Sequence, residues 1–233
     1  MFYYELSNEI IPKVDIDAKV LHMKLSRYIN FSMNQTQFLR DLHNEQKIKL
    51  YCYDYLYPIE RDGVYKKNTV YKFRLRTPVL EIANNFSKAF LMTQNDEFRI
   101  ITSNKRKMQF RFVKQIYTIT PAICTLGDRY WKRGERLSLI EEQIKSNLYS
   151  KYEELFDEEI NKEINNEESF MSFISITNRK DIVMKFKQGN LIANKFDIGI
   201  NEDEFAQKMA YLIVSTGLLE KNSSMGAGFC NYK

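Results

Sequence analysis

Glycine is scarce in this chain of 233 residues, with 8 in all, about half of what an ordinary usage near 7% would give. Three of them, Gly217, Gly226 and Gly228, fall in the last stretch, GLLEKNSSMGAGFCNYK. Proline is rarer still, with 4 residues, and hydrophobic residues make up 44% of the chain. A disordered polypeptide is therefore not expected, and the closing glycines are expected to form a loop.

Cysteine is also sparse, and its spacing excludes two common uses. Cys52, Cys124 and Cys230 are odd in number and far apart, which suits neither a disulfide framework nor a zinc site. No apolar run approaches the 18 residues that a membrane-spanning helix needs, and the first residues do not resemble a signal peptide. We expect a cytoplasmic protein that uses no metal and no cofactor and has no membrane partner.

Hydrophobic periodicity predicts an alternation of strands and helices in the first half. FYYELSNEI is typical of a strand, and DIDAKVLHMKLSRYI of a helix capped by Asp15. TQFLRDLHN predicts a short helix, and the stretches KIKLYCYDYLYPIE and TVYKFRLRT alternate as two strands. A helix beginning at Pro78 and the strands EFRIITS and KMQFRFVKQIYTIT follow. This order is that of a ferredoxin-like fold.

The second half predicts another α+β unit. A long charged helix covers residues 138–164, strands cover 170–176, 181–190 and 191–200, and a last helix covers 202–216. We therefore predict an α+β protein of two tandem ferredoxin-like (RRM-like) domains, residues 1–115 and 116–233, with a C-terminal glycine-rich loop.

Charge is unevenly distributed, although the net charge is only +5. Residues 99–133 carry nine Lys/Arg against one acid, whereas residues 135–168 carry eleven acids against four bases. A contiguous basic surface is typical of nucleic-acid binding, but the two segments could equally pair with each other in the fold. The candidate RNA-binding residues here are Lys105, Arg106, Lys107, Arg111, Lys132 and Arg133.

The glycine segment and the two histidines each allow two interpretations. Gly226 and Gly228 could bring main-chain N–H groups close to phosphates or could simply form a turn, and spacing favours the turn. His22 lies in the middle of a predicted helix, where packing or surface polarity is its expected role. His43 lies at a junction between a helix and a strand, where a rigid scaffold could hold a catalytic side chain. A lone histidine there is more often an ordinary surface residue.

Four segments together resemble the Cas6 family, the CRISPR-associated endoribonucleases that cut repeat RNA and belong to the repeat-associated mysterious proteins. GLLEKNSSMGAGF is similar to the glycine-rich signature at the end of that family, with Leu219 where glycine is frequent. LHNEQKIKLYCYDYLYP resembles its histidine followed by a lysine-bearing strand. NLYSKYEEL resembles its mid-chain helix, and RLRTPVLEIANNFSKAF its second helix.

The resemblance implies a fold, a reaction and a site. It implies two ferredoxin-like domains and metal-independent cleavage of precursor CRISPR RNA, leaving a 2′,3′-cyclic phosphate and a 5′-hydroxyl. It places the catalytic residues at Tyr28, His43 and Lys49. In the closing loop we expect RNA contacts from Lys221, Asn222, Ser223, Gly226 and Gly228. Repeat RNA is the expected partner, with other CRISPR effector subunits as further partners.

The chemistry of these residue types fits such a reaction. Attack of a ribose 2′-oxygen on the neighbouring phosphate needs proton removal, protonation of the leaving group and stabilisation of charge. Histidine can perform either proton transfer near neutral pH, and a lysine cation can stabilise the transition state. Tyrosine is a poor base, so we assign Tyr28 to positioning through a hydrogen bond. The alternative is a non-catalytic RNA-binding subunit of an effector complex with the same fold.

Overall fold

A computed structural model describes residues 1–158, 160, 169–186 and 189–233. Within that part of the chain, no helix combines the length and the apolar composition needed to cross a bilayer. Two four-stranded antiparallel sheets dominate the structure, one in each half.

The first sheet and its helices come from residues 2–109. In chain order the elements are β1 (Phe2–Pro12), β2 (Ile16–Asp17), α1 (Ala18–Met33), α2 (Gln37–Asn44), β3 (Cys52–Tyr53), β4 (Val64–Tyr65), β5 (Tyr71–Thr77), α3 (Leu80–Met92) and β6 (Phe98–Gln109). The sheet has the order β3-β5-β1-β6, and β2 pairs separately with β4. Numbered along the chain, the four sheet strands lie in the order 2-3-1-4, with α1 and α3 in the two connections. This is a ferredoxin-like arrangement.

The second sheet repeats this arrangement. Its elements are β7 (Gln115–Thr118), β8 (Ala122–Ile123), β9 (Thr125–Leu126), β10 (Arg129–Tyr130), α4 (Leu137–Phe156), β11 (Met171–Ile176), β12 (Ile182–Phe186), β13 (Gly189–Asn194), β14 (Phe196–Ile200), α5 (Glu204–Thr216), α6 (Asn222–Met225) and β15 (Cys230–Tyr232). The order β11-β14-β7-β15 is again 2-3-1-4, with α4 and α5 in the connections. The predicted double ferredoxin-like fold is confirmed.

Each sheet covers its own hydrophobic core. The first core is rich in aromatic side chains, including Tyr28, Phe73, Phe86, Phe90 and Phe98. The second core begins before the second sheet does, because Phe110 and Val113 already pack in it. The chain therefore passes from one core to the other between β6 and β7, and we propose the domain boundary here, near residue 115. A third, smaller cluster joins the closing segment to the hairpin β12–β13.

Several predicted boundaries differ from the structure, each for a local reason. Helix α1 begins at Ala18, where the Asp17 carboxylate accepts from the Lys19 N–H at 2.8 Å and provides the cap. The Asp15 carboxylate instead accepts from the Lys67 N–H at 2.7 Å. The strand predicted over residues 47–60 is reduced to β3, and beyond it the Asp54 carboxylate accepts from the main-chain N–H of Arg74.

The basic stretch before the second sheet also differs from its prediction. The sequence predicts two strands, 97–103 and 107–120, whereas β6 is one strand that covers most of the first, continues through the gap and ends at Gln109, near the start of the second. The chain then leaves the first sheet before β7 begins, so the alternation of apolar residues across 107–120 spans two sheets. The predicted helix 138–164 is confirmed as far as Phe156. Its last part and the end of the predicted strand 181–190 include residues outside the described ranges.

Candidate functional site

The closing segment, residues 217–233, is packed into the protein. Gly217 follows α5 with φ +91°, the short helix α6 comes next, and β15 pairs with β7. The residues from Met225 to Cys230 are all buried. The sequence predicts a glycine-rich loop here, and the structure encloses most of this segment.

The two glycines of GAG are packing residues, which corrects their expected contact with RNA. Gly226 and Gly228 have φ values of +66° and +68°, a region that favours glycine. A β-carbon at Gly228 would stand 2.0 Å from the Leu218 main-chain oxygen, and one at Gly226 would stand 2.6 Å from the Tyr53 ring. The N–H of Gly228 donates to the Pro121 oxygen at 2.9 Å, and that of Gly226 donates to an oxygen of α6. Neither N–H group is left for a phosphate.

The side chain of Asn222 makes all its hydrogen bonds within the protein, so the RNA contact expected for it is corrected. The side chain is buried, and its amide nitrogen donates to the main-chain oxygens of Leu218 at 2.9 Å and Ala227 at 2.8 Å. Its amide oxygen accepts from the Lys151 ammonium at 2.8 Å. All three contacts hold the segment in shape.

A cavity of about 300 Å³ opens between this segment, α4 and the residues after α2. We call it the loop pocket, and its walls are Lys47, Ile48, Lys49, Asn147, Lys151, Leu219, Glu220, Lys221, Asn222, Ser223 and Ser224. Four of these residues are lysines and one is an acid. The carboxylate of that acid, Glu220, is engaged by the N–H and the hydroxyl of Thr125, at 3.1 and 2.7 Å. The balance of charge suits an anionic ligand.

Of the expected site residues, Lys49, Lys221, Asn222 and Ser223 line this pocket. Lys49 is half-buried, and its ammonium lies 3.4 Å from the Glu45 main-chain oxygen. Lys221 and Ser223 are also partly exposed. His43 is exposed in the last turn of α2, close along the chain to Lys49 but outside the walls of the pocket. The structure therefore brings one of the three expected catalytic residues to the closing segment.

Tyr28 lies in the first core, which removes it from the candidate catalytic set. It is 0% exposed, and its ring contacts Phe90 and Phe98 with centroids 6.4 and 5.7 Å away. Its hydroxyl donates to the Phe90 main-chain oxygen at 3.4 Å. Burial raises the pKa of this hydroxyl well above its usual range, so Tyr28 neither reaches an RNA nor acts as a base.

Two residues of the loop pocket, Asn147 and Lys151, were not predicted as site residues from the sequence. They lie one helical turn apart on α4. The Asn147 amide oxygen is buried and has no hydrogen-bond partner among the described residues. Lys151 is buried, and its helical neighbours Ile144 and Leu148 are core residues. A lysine on the apolar stripe of a predicted helix is the signal that could have identified it.

The cysteines and the acidic residues offer no metal site in the described ranges. Cys52, Cys124 and Cys230 are buried with free thiols. Burial raises the pKa of the Cys52 and Cys124 thiols to about 12, which makes them poor nucleophiles. No three His, Cys, Asp or Glu side chains that the structure describes lie close enough together to share a metal ion.

The cations of the basic segment form two separate groups. Lys105, Arg106 and Lys107 are exposed on β6, and Arg111 is exposed just after it. The Lys105 ammonium donates to the Asn84 side chain, and that of Lys107 lies 3.6 Å from the centre of the Phe2 ring. Since β1 and β5 separate β6 from β3, these cations lie about 14 Å across the sheet from β3, the strand that contacts Gly226. Lys105 and Lys107 lie on the face of the sheet that carries the helices and Arg106 on the opposite face, and none of the three lines the loop pocket.

The other basic residues lie near the start of α4. Lys132 and Arg133 are exposed, and Arg133 donates from its side chain to the Asn178 oxygen and from its N–H to Asp181 at 3.0 Å. The Arg129 guanidinium pairs with Glu135 at 2.7 Å, which joins the basic segment to the acidic one. The alternative that the two segments pair is thus realised at Arg129, while the cations of β6 remain exposed.

A second cavity, of about 590 Å³, lies between the first sheet, the residues after β3 and the segment that follows β7. We call it the sheet cleft, and β5 forms one wall. Lys72, Arg74 and Arg76 lie on one face of β5, and its apolar residues lie on the other. Lys72 is exposed, but Arg76 is 4% exposed and bound to Glu5 at 2.7 Å. The cations that line the cleft are therefore Lys72, Arg74 and, from the second half, Lys195.

The fold of the entire chain is shared with known structures. A CRISPR-associated protein Cas6 matches with a TM-score of 0.71 at 18% identity, covering 99% of this chain and 99% of that chain. A RAMP protein that binds different RNA substrates matches with a TM-score of 0.69 at 11% identity, also covering 99% of each chain. A Cas6 product complex matches with a TM-score of 0.60 at 13% identity, covering 98% of each. No family model and no curated protein matches the sequence.

Proposed function

We propose that this chain is a member of the Cas6 family and cleaves the repeats of precursor CRISPR RNA into guide RNAs. The observation that carries the proposal is the likeness of almost the whole chain to Cas6 structures. The lysine-lined loop pocket supports it, because it offers cations for an RNA phosphate beside the closing segment. The RNA substrates and the product in the similar structures support RNA as the ligand.

The proposed reaction is the attack of a ribose 2′-oxygen on the adjacent phosphorus. The 5′-oxygen of the next nucleotide leaves, which gives a 2′,3′-cyclic phosphate and a 5′-hydroxyl. Two proton transfers are needed, one from the attacking hydroxyl and one to the leaving oxygen. Negative charge grows on the phosphate oxygens in the transition state, and cations that are already in place stabilise that charge. We propose that lysines supply this positive charge and that no metal ion takes part.

We assign the roles according to position and exposure. The ammonium of Lys49, with that of Lys221, stabilises the phosphate in the loop pocket. His43 is exposed at the end of α2, before the segment that carries Lys49, and is the candidate for one proton transfer. Ser223 contributes a neutral hydrogen bond.

RNA beyond the cleaved phosphate is proposed to follow the exposed cations. One group of contacts comes from β6 and the residues after it, Lys105, Arg106, Lys107 and Arg111, and another from Lys132 and Arg133. Their main interaction is with phosphates, which carries little sequence information. Unpaired bases are read where they can stack and form hydrogen bonds. The cytoplasm is the proposed location, with other CRISPR effector subunits as further partners.

Two positions favour the rival function of a non-catalytic RNA-binding subunit. Tyr28 is buried, and His43 lies outside the walls of the loop pocket. A protein with the same fold and the same cations would then bind repeat RNA without cutting it. The two functions differ in one observable, the formation of shorter RNA.

The test is cleavage of a labelled repeat RNA by the purified protein in excess EDTA. We expect one cut per repeat and products whose ends match the proposed reaction, since a 2′,3′-cyclic phosphate resists direct ligation and a 5′-hydroxyl accepts phosphate from a kinase. Tight binding with intact RNA would identify the binding subunit. Activity that returns only with an added divalent ion would contradict the metal-independent mechanism, and the absence of binding would contradict both functions.

A further inference from the structure

Lys151 is a buried cation whose hydrogen bonds all go to one turn. Lys151 is 3% exposed. The ammonium donates to the Gly217 oxygen at 2.7 Å, the Leu219 oxygen at 3.2 Å and the Asn222 amide oxygen at 2.8 Å. An ammonium has three N–H donors, so these three acceptors use all of them.

The turn that Lys151 binds has an energetically unfavourable backbone conformation. Leu219 and Lys221 have φ values of +59° and +58°, in the left-handed region that residues with a β-carbon rarely adopt. Such a conformation persists only where the surroundings hold it. The acceptors of Lys151 lie before, at and after these two positions. In addition, Gly217 ends α5, and the carbonyl end of a helix favours a cation.

The same turn forms a wall of the loop pocket. Lys221 and Ser223 lie on either side of Asn222, whose side chain binds Lys151. We propose that Lys151 is a positioning residue of the loop pocket, which holds the turn in the form that presents Lys221 and Ser223 to an RNA phosphate. The RNA contact rests on the function proposed above, whereas the restraint of the turn does not.

The protonation of Lys151 makes this restraint depend on pH. Burial lowers the pKa of Lys151 to about 7. The titratable groups that face it are Cys52 of β3, Cys230 of β15 and Glu220 of the turn, while Lys47, Lys49 and Lys221 are the other cations of the pocket. Both thiols have a raised pKa because they are buried, so they stay neutral near pH 7. A neutral amine keeps two N–H donors and leaves one acceptor unpaired.

RNA affinity and fold stability should therefore respond to pH in opposite directions. Above pH 7 the folded protein loses the Lys151 proton, and RNA affinity falls. The unfolded chain keeps that proton up to the ordinary lysine pKa near 10.4. Between these two values the unfolded state binds more protons, so this group raises the free energy of unfolding as pH rises. A purely structural role would move affinity and stability together.

The first experiment needs no RNA. Amide hydrogen exchange of residues 217–228 is compared in the wild-type protein, Lys151→Met and the control Lys145→Met, which removes the same charge from the same helix outside the pocket. We expect exchange to accelerate at least about tenfold in Lys151→Met only. Unchanged protection in a folded Lys151→Met protein overturns the proposal. This measurement decides the restraint of the turn even if the protein proves not to bind repeat RNA.

The second experiment measures affinity for a labelled repeat RNA between pH 6.0 and 8.5, in a His43→Ala background that removes the exposed imidazole. We expect affinity to fall about tenfold or more over this range, as the protonated fraction of a group with a pKa near 7 falls from most to a few per cent. Lys151→Arg, which stays charged, should flatten the profile, and Lys151→Met should bind about tenfold more weakly at pH 6.0. If Lys151→Met fails to fold, the profile of the His43→Ala protein that keeps Lys151 decides, and a flat profile overturns the proposal.

Discussion

The Arg76 guanidinium lies 4.5 Å from the centre of the Phe229 ring. It also donates to the main-chain oxygen of Cys230 at 2.7 Å and to the Glu5 carboxylate at 2.7 Å. Arg76 belongs to the first sheet, and Phe229 and Cys230 belong to the end of the second half. The end of the chain is therefore part of the joint between the two sheets, which explains why residues near the terminus are as buried as the core.

We expect Arg76→Met to destabilise the protein by about 3 kcal/mol, because it removes a buried guanidinium and leaves the Glu5 carboxylate, which is only 15% exposed, without its partner. Lys72→Met is the matched control on the same strand, since Lys72 forms a largely exposed ion pair with Glu9 at 3.4 Å. Its effect should be within about 1 kcal/mol. Urea denaturation of both variants measures the difference, and equal midpoints would refute the structural role of Arg76.

Gly228→Ala should lower the melting temperature much more than Gly127→Ala. Both glycines have a positive φ, +68° and +63°, which costs alanine about 1–2 kcal/mol. Only at Gly228 does the new β-carbon meet an atom, the Leu218 oxygen at 2.0 Å, and overpacking adds about 1–3 kcal/mol. About 1 kcal/mol corresponds to 2–4 °C in a chain of this size.

The same pair of variants separates packing from RNA contact. If the glycines serve packing, the folded fraction of Gly228→Ala keeps its RNA affinity, measured well below its melting temperature. A Gly228→Ala protein with wild-type stability and abolished RNA binding would restore the phosphate contact that the structure argues against.

His43→Ala is expected to lower single-turnover cleavage about 10²–10⁴-fold, the usual range for a general acid or base, with RNA affinity nearly unchanged. Asn44→Ala, at the adjacent exposed position, is the control. His22 is unsuitable as a control, because it is buried and its Nε2 atom lies 2.6 Å from the Lys185 oxygen. His22→Ala should reduce stability. Cleavage at the wild-type rate in His43→Ala would remove His43 from the mechanism.

Removing the charges of Lys105, Arg106 and Lys107 should weaken RNA binding and its salt dependence. Each lost single-strand phosphate contact lowers the slope of log affinity against log salt by about 0.7. A triple alanine variant at three other exposed cations, Arg61, Lys67 and Lys88, gives the same change of net charge and should keep the slope. Equal slopes in both triple variants would show that β6 makes no specific phosphate contacts.

The fold could be predicted because its periodicities are strong. Alternating residues on β1 and the helical spacing in α1 reflect one buried face each. The element boundaries that could not be predicted depend on hydrogen bonds to residues far along the chain. The choice of Asp17 over Asp15 as the cap of α1 follows from the hydrogen bond of Asp15 to Lys67, a residue far along the chain.

Part of the site could be predicted, because two short segments that resemble the family contain its residues. The similarity of the closing segment and of the stretch after His43 predicted Lys221, Ser223 and Lys49, which meet in the loop pocket. Spacing could not show that Tyr28 points into the core, because a helix offers both faces to a tyrosine. It also could not show that Gly226 is fitted against Tyr53, since that contact exists only once the two halves pack together.

The width of the first sheet sets a minimum length for an RNA that uses both surfaces. A strand of stacked nucleotides advances about 3.4 Å per residue, so the roughly 14 Å between β6 and β3 correspond to about four nucleotides. Oligonucleotides of two or three residues can occupy the loop pocket or the cations of β6, but not both at once. Affinity plotted against oligonucleotide length should therefore rise in a step once the RNA is long enough to bridge the two, and the position of that step reports the path between them.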